Sequence, residues 1–310
     1  MSTSTSTPVR ATPVELPQRP SKSLSPSRAA DFLNCPLRYR LRSIDQLPEP
    51  PSVAATRGTL VHSVLERLFD EPATVRNLST AIELLAPAWR DLISDQPHLP
   101  ALLFGGTLFG ATECDSDAAW QLHLSGTPLP KPDEDAIEKF LDQCQTYLAK
   151  YFELENPANL EPAEREMSVS TELPSGLVLR GIVDRIDRAG NGAIRVVDYK
   201  TGRAPGPGWE ASALFQMRFY GLILWRLHGR VPARLQLLYL GSNERLSIDP
   251  TDQQLTATEH KVQAIWDAIA LATETNHWVA RPSKMCAWCS FKPQCPQWPD
   301  TVPESPEPVA

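Results

Sequence analysis

The sequence predicts a mixed α/β domain whose core runs helix, three strands, helix, strand. Three observations predict it. Residues 164–171, 177–188 and 193–200 are strand-like and are separated by Pro174-Ser175-Gly176 and Gly190-Asn191-Gly192, which is turn chemistry. An apolar stripe at helical spacing precedes them: Leu60, Val61, Val64, Leu65, Leu68 and Phe69. A second amphipathic helix, at about 209–228, separates the third strand from a fourth at 233–240.

The elements follow in order. Ser25-Pro26 opens a first helix, with a capping hydroxyl and a proline where a missing N–H costs nothing. That helix carries Phe32 and Leu33 and stops near Cys35-Pro36. The stripe at 57–69 is the next helix, with His62 at its edge. Residues 70–160 read as a helical insert, interrupted by a Gly/Leu/Phe-rich stretch at 99–111. Asp133, Glu134, Asp135 and Glu138 read as a solvated helix start. After the three strands come a Gly/Pro loop at 202–208, the helix and fourth strand, a short strand near 245–248 and a long helix at 251–275. There is no internal repeat and no G-x-x-x-x-G-K-[ST] phosphate loop, so no ATPase motor is expected.

Prolines number 30 in 310 residues, roughly twice the usual ~5% share. Residues 1–24 and 299–310 lack the apolar surface that offsets the entropy of ordering. Both are expected to be disordered, which leaves one folded domain at 25–298. No run approaches the length of a membrane span and the start has no apolar signal region, so a cytoplasmic protein is expected. In that reducing compartment, six cysteines point to metal ligands, catalytic thiols or core residues rather than disulfides. The net charge of −7 argues mildly against a nucleic-acid partner. Yet Arg28, Arg38, Arg40 and Arg42 crowd a segment whose one acid is Asp31.

The second and third strands read GIVDRID and IRVVDYK. Asp198 and Lys200 are two apart on a strand and point the same way. Asp184 lies across a tight turn on the neighbouring strand. Two carboxylates and a lysine at one end of a hairpin suit a hard divalent cation with a cationic group beside it, a set that can hydrolyse a phosphodiester. The plain alternative is that Asp184 pairs with Arg185 or Arg188 and that Asp198–Lys200 is a surface ion pair. Burial after the apolar Ile194, Val196 and Val197 weighs against it, because a buried charge needs a partner or a metal.

The spacing of Asp184 and Asp198-Tyr199-Lys200 resembles the PD-(D/E)XK nuclease superfamily, in particular its RecB-like exonuclease branch. Four further features resemble that branch: His62 in RGTLVHSVLERLF, the wording around Asp184, Gln216 and Tyr220 in FQMRFY, and a cysteine set. The resemblance implies a restriction-endonuclease-like core. It implies that His62, Asp184, Asp198 and the Tyr199 carbonyl hold Mg2+ or Mn2+, and that Lys200 is the catalytic lysine. Gln216 and Tyr220 would line the site and touch the DNA backbone. Glu166 on the first strand is an extra acidic candidate, with Glu164 competing.

Near the C-terminus Cys286, Cys289 and Cys295 form C-x2-C-x5-C. Three thiols leave a four-coordinate site one short, and Cys35 is the natural fourth. Cys35 and Cys295 each precede a proline, which resembles cluster-binding loops. In AddB-type and CRISPR-associated relatives the same arrangement carries a 4Fe–4S cluster. Zinc is the alternative, although a zinc ribbon shows two C-x2-C pairs and this chain shows one. Cys114 and Cys144 fit no spacing. The expected function is a metal-dependent DNA exonuclease on single-stranded ends in repair or recombination, with a repair protein or helicase as a possible partner. The alternatives are a catalytically weak DNA-binding or scaffold subunit, and a zinc-bound interaction module.

Overall fold

The computed structural model describes residues 22–105, 116–206 and 210–298. The arm before residue 22, Cys114 and the tail after 298 lie outside them. The α/β expectation holds. A six-stranded sheet is built from β1 (Ser23–Leu24), β2 (Pro162–Glu172), β3 (Val178–Arg188), β4 (Ile194–Lys200), β5 (Arg234–Tyr239) and β6 (Glu244–Ile248). β2, β3 and β4 form the antiparallel meander the turn residues predict, with Gly176 and Gly192 at positive φ in its two turns. β4 and β5 pair in parallel, so a crossover must join them, and α9 (Ala211–His228) is that crossover. Gly229 ends α9 in the left-handed conformation at φ 65°. β6 returns antiparallel to β5, and α10 (Asp252–Thr275) follows, started by a capping box of Thr251 and Gln254.

β1 departs from the sequence expectation. Ser23 and Leu24 were assigned to the disordered arm, but they pair in parallel with Val178 and Leu179, and Leu24 is fully buried. Two residues are too short for a periodic signal; the partner strand makes them a strand.

Helices cover both faces of the sheet. On one face α1 (Pro26–Asn34), α9 and α10 meet Val196, Leu235 and Leu237. On the other, α3 (Val53–Leu68) meets Val197, Tyr199, Leu238 and Leu240. The short α2 (Pro36–Tyr39) follows α1, and α3 is capped by Ser52. The insert is helical as expected: α4 (Leu78–Glu83), α5 (Leu85–Asp95), α6 (Leu99–Phe104), α7 (Ser116–Leu124) and α8 (Glu134–Leu154). The Asp133 side chain caps α8, so the acidic run does open a helix. Phe140, Cys144, Leu148 and Tyr151 of α8 extend the core beneath α3. Cys144 is a buried thiol whose pKa burial pushes up to about 12, which leaves it unreactive.

The loop after β4 is seated on Gly241. Its N–H donates to the Gly202 carbonyl at 3.1 Å, and a Cβ there would meet that oxygen at 2.4 Å. Gly241→Ala should push this loop away from the sheet. An expected loss of ~1–3 kcal/mol is checked by urea unfolding.

Candidate active site

β4 alternates between the two core layers. Val196 faces α9, and Val197 and Tyr199 face α3. Asp198 shares the α9 side and is 2% exposed. Gln216 of α9 donates from Nε2 to Asp198 Oδ1 at 3.0 Å. The other oxygen, Oδ2, lies 2.5 Å from the Lys200 ammonium and has no aligned hydrogen-bond donor among the described residues. The Asp198–Lys200 pair therefore exists, but its acid is buried rather than on the surface.

The strand carrying Asp184 breaks its alternation at that residue. Val183 packs in the α9 layer, whereas Arg185 packs against Tyr151 and Tyr199 of the other layer. On the partner strand Arg165 pairs with Arg185 and Met167 with Val183, so Glu166 stands opposite Asp184. Glu166 has φ 43°, a conformation that costs a non-glycine residue energy and concentrates at functional sites. Asp184, Glu166 and His62 each offer a ligand atom within 4.8 Å of the others. His62 Nδ1 is 3.5 Å from Asp184 Oδ2 and 3.8 Å from Glu166 Oε1, and its Nε2 is 3.0 Å from the Tyr199 carbonyl oxygen. The Tyr199 N–H donates to Asp184 Oδ2 at 2.7 Å. Glu166, not the exposed Glu164, is the acid that joins the group.

Electrostatics follow from this crowding. Burial first, and then the Asp198 charge, hold the Asp184 pKa well above the usual carboxylate range. Burial, Glu66 and Asp198 raise that of Glu166. Burial lowers the His62 pKa against the pull of Asp198, so its ring favours the neutral form that ligates metals. Buried acids that repel one another, with an oxygen lacking a donor, fit a hard cation. Glu66, one turn from His62, was not singled out in the sequence; its acidity has no distinguishing pattern there.

Arg185 pairs with neither Asp184 nor solvent. It is fully buried and donates to the Tyr199 hydroxyl at 2.7 Å and to Glu155 at 2.8 Å. Its Nε is 3.1 Å from Asp187, and its guanidinium stacks over Phe69 and Tyr199. Arg195 braces the same two acids, reaching Asp187 at 2.7 Å and Glu155 at 3.5 Å.

The four cysteines come together from both ends of the described body. Cys35, Cys286, Cys289 and Cys295 line one cavity of about 240 Å³, shared with Arg38 and Lys292. The Arg281 N–H points to Cys35 Sγ at 3.5 Å and the Ser283 N–H to Cys286 Sγ at 3.3 Å. A zinc ion at ~2.3 Å from each sulfur would bring the sulfurs to about 3.8 Å from one another. Among the described residues no three cysteine sulfurs lie within 4.8 Å of each other.

The family model of the PD-(D/E)XK nuclease superfamily matches residues 23–296, and the chain belongs to that superfamily. Its substrate class is accordingly DNA, and nucleases of this kind typically use Mg2+ or Mn2+. The gene 69 protein of Mycobacterium phage L5 is 24% identical over 313 residues, covering 89% of this chain and 98% of the phage protein. The crystal structure of a candidate exonuclease from Eubacterium rectale shares 14% identity and a TM-score of 0.53, over 92% of this chain and 90% of that one. That second likeness shows the fold alone. No helix among the described residues is long and apolar enough to cross a membrane.

Removing the buried guanidinium would leave Glu155 and Asp187 with only Arg195 as a cationic partner. Arg185→Met should lose ~3–5 kcal/mol of stability, read by chemical denaturation. The folded fraction should bind Mn2+ more weakly in calorimetry, because the Tyr199 backbone holds both Asp184 and His62.

Proposed function

We propose that this chain is a RecB-like, AddB-type exonuclease that degrades single-stranded DNA from its ends in repair or recombination. The observation that carries it is the gathering of His62, Glu166 and Asp184 beside the Asp198–Lys200 pair at one end of the β3–β4 hairpin. In this reading His62, Asp184, Asp198 and the Tyr199 carbonyl hold the cation, with Glu166 as a further acid. A bound divalent cation supplies charge stabilisation at the phosphate and a water of lowered pKa. Lys200 places its ammonium beside the scissile phosphate, where negative charge grows. Gln216 holds Asp198 in its rotamer, and Tyr220, whose ring lies over Gly181, presents its hydroxyl to the DNA backbone. Residues 25–298 act as one nuclease domain in the cytoplasm, where a helicase or repair protein would supply the unwound strand.

In the same reading Cys35, Cys286, Cys289 and Cys295 hold a 4Fe–4S cluster. The gathering of the four cysteines in one cavity supports it, as do the N–H groups aimed at sulfur and the cations Arg38 and Lys292 beside them. A scaffold subunit without catalysis is the second reading. The complete set of His62, Asp184, Asp198 and Lys200 speaks against it.

Asp198→Ala and Lys200→Ala should each reduce Mg2+- or Mn2+-dependent cleavage of labelled single-stranded DNA at least ~10²-fold with the fold intact by circular dichroism. Wild-type rates in both variants would sink this active site. Protein purified without oxygen should be brown, and Cys35→Ser should lose both the colour and thermal stability. One equivalent of zinc in a colourless protein would replace the cluster and leave the nuclease assignment standing.

A further inference from the structure

β3 is paired along one edge by β2, over residues 178–187. Its other edge is divided: β1 pairs with Val178 and Leu179, and β4 pairs with Arg185 to Arg188. Between them, residues 180–184 have no strand partner on that edge among the described residues, and a cleft of about 900 Å³ opens there. Lys200 and Gln216 line its catalytic end. Further along, Arg180 of β3 and Ser168 of β2 line it, and Arg203 lies on the loop after β4.

The charge of this lining is unlike that of the molecule. The chain has 37 acidic and 30 basic residues. Yet among the described residues the cleft is lined by three cations, Arg180, Lys200 and Arg203, and by no carboxylate. Arg28 sits close by, and burial first and Arg180 second lower its pKa. Lys200 is shared with the buried Asp198, but Arg180 and Arg203 have no carboxylate beside them in the lining, and such cations make a site for a polyanion. The floor has a second character. Arg180 and Ile182 alternate with the buried Leu179 and Val183, so both turn away from the core, and Ile182 is 55% exposed. Gly181 between them leaves room for the Tyr220 ring, which a Cβ would meet at 2.6 Å. Phosphate-binding cations around an exposed apolar surface suit unpaired nucleotides, whose bases offer apolar faces, better than a duplex.

Arg180 stands four residues from Asp184 along β3, a distance of about 13 Å at strand rise. That is beyond the reach of the phosphate being cut. We propose that this cleft is the track of a single DNA strand, in which Arg180 grips a backbone phosphate that is not cleaved. The proposal rests on the nuclease reading above and adds to it where the strand runs and which residue holds it.

The test measures binding without turnover. Wild type, Arg180→Gln and Arg180→Lys are titrated with a labelled single-stranded oligonucleotide in Ca2+ across a salt series. Arg180→Gln should bind more weakly, with a log–log salt slope smaller by about 0.7, one phosphate contact on a single strand. Arg180→Lys should keep the wild-type slope. In cleavage with Mn2+, Arg180→Gln should raise KM on the oligonucleotide at unchanged kcat, and should cut a dinucleotide, too short to reach residue 180, as wild type does. An unchanged slope and KM in Arg180→Gln would overturn the proposal, as would equal affinity of wild type for a blunt duplex. A wild type that binds with the Arg180-dependent slope but cuts nothing would instead overturn the catalytic reading and support the track.

Discussion

Arg185 is a guanidinium with no exposed surface, placed behind the two strands that carry the acids. A buried cation of this kind is stabilising only when it is paired, and here Glu155, Asp187 and the Tyr199 hydroxyl accept from its two terminal nitrogens. The arrangement ties α8, through Glu155 at its end, to β3 and to Tyr199 of β4. Tyr199 then works from its backbone, with its N–H on Asp184 and its carbonyl near His62. The positions of Asp184 and His62 thus depend on a charge network in the layer between the sheet and α3. The helical insert belongs to that network, because α8 is part of it.

The front of the sheet is organised by a fault. A regular strand would put Val183 and Arg185 in one layer; here they lie in two, and Glu166 adopts positive φ where the fault crosses β2. The local cost of that conformation, ~1–3 kcal/mol, brings Glu166 and Asp184 to the same point as His62. Three groups that repel one another as anions, or lose solvation on charging, are thereby held together by the fold. Such a site gains most from a cation, since the cation relieves what the fold imposes.

What the sequence made legible was local. Gly176 and Gly192 punctuate the meander, helical stripes mark α3 and α9, and C-x2-C-x5-C announces itself within ten residues. Asp198 and Lys200 share a strand, so their pairing needed only the two-residue period. His62 and Asp184 are far apart in the chain, and only the family resemblance joined them. The fault at Glu166, the strand at Ser23–Leu24 and the Arg185 network arise between distant segments and leave no periodic trace. Arg38 and Arg40, which looked basic in sequence, are engaged by Asp31 and Asp45, while Arg180 stood unremarked in a strand. Local acids decide whether an arginine is available, and composition alone does not show where those acids fold.

The first helices and the last loop share one environment. The Leu37 N–H donates to the Val279 carbonyl, Tyr39 stacks on Trp278 with ring centres 6.1 Å apart, and Cys35 faces the cysteines of the closing segment. On the ribosome, then, residues 26–39 must wait for residues 278–295. The acids of the hairpin emerge well before residue 278, so the sheet can assemble while α1 and α2 still lack their packing partners. Contacts of such long sequence separation form late and slowly. The arrival of residues 278–295, rather than of the catalytic strands, is the event that seals this fold.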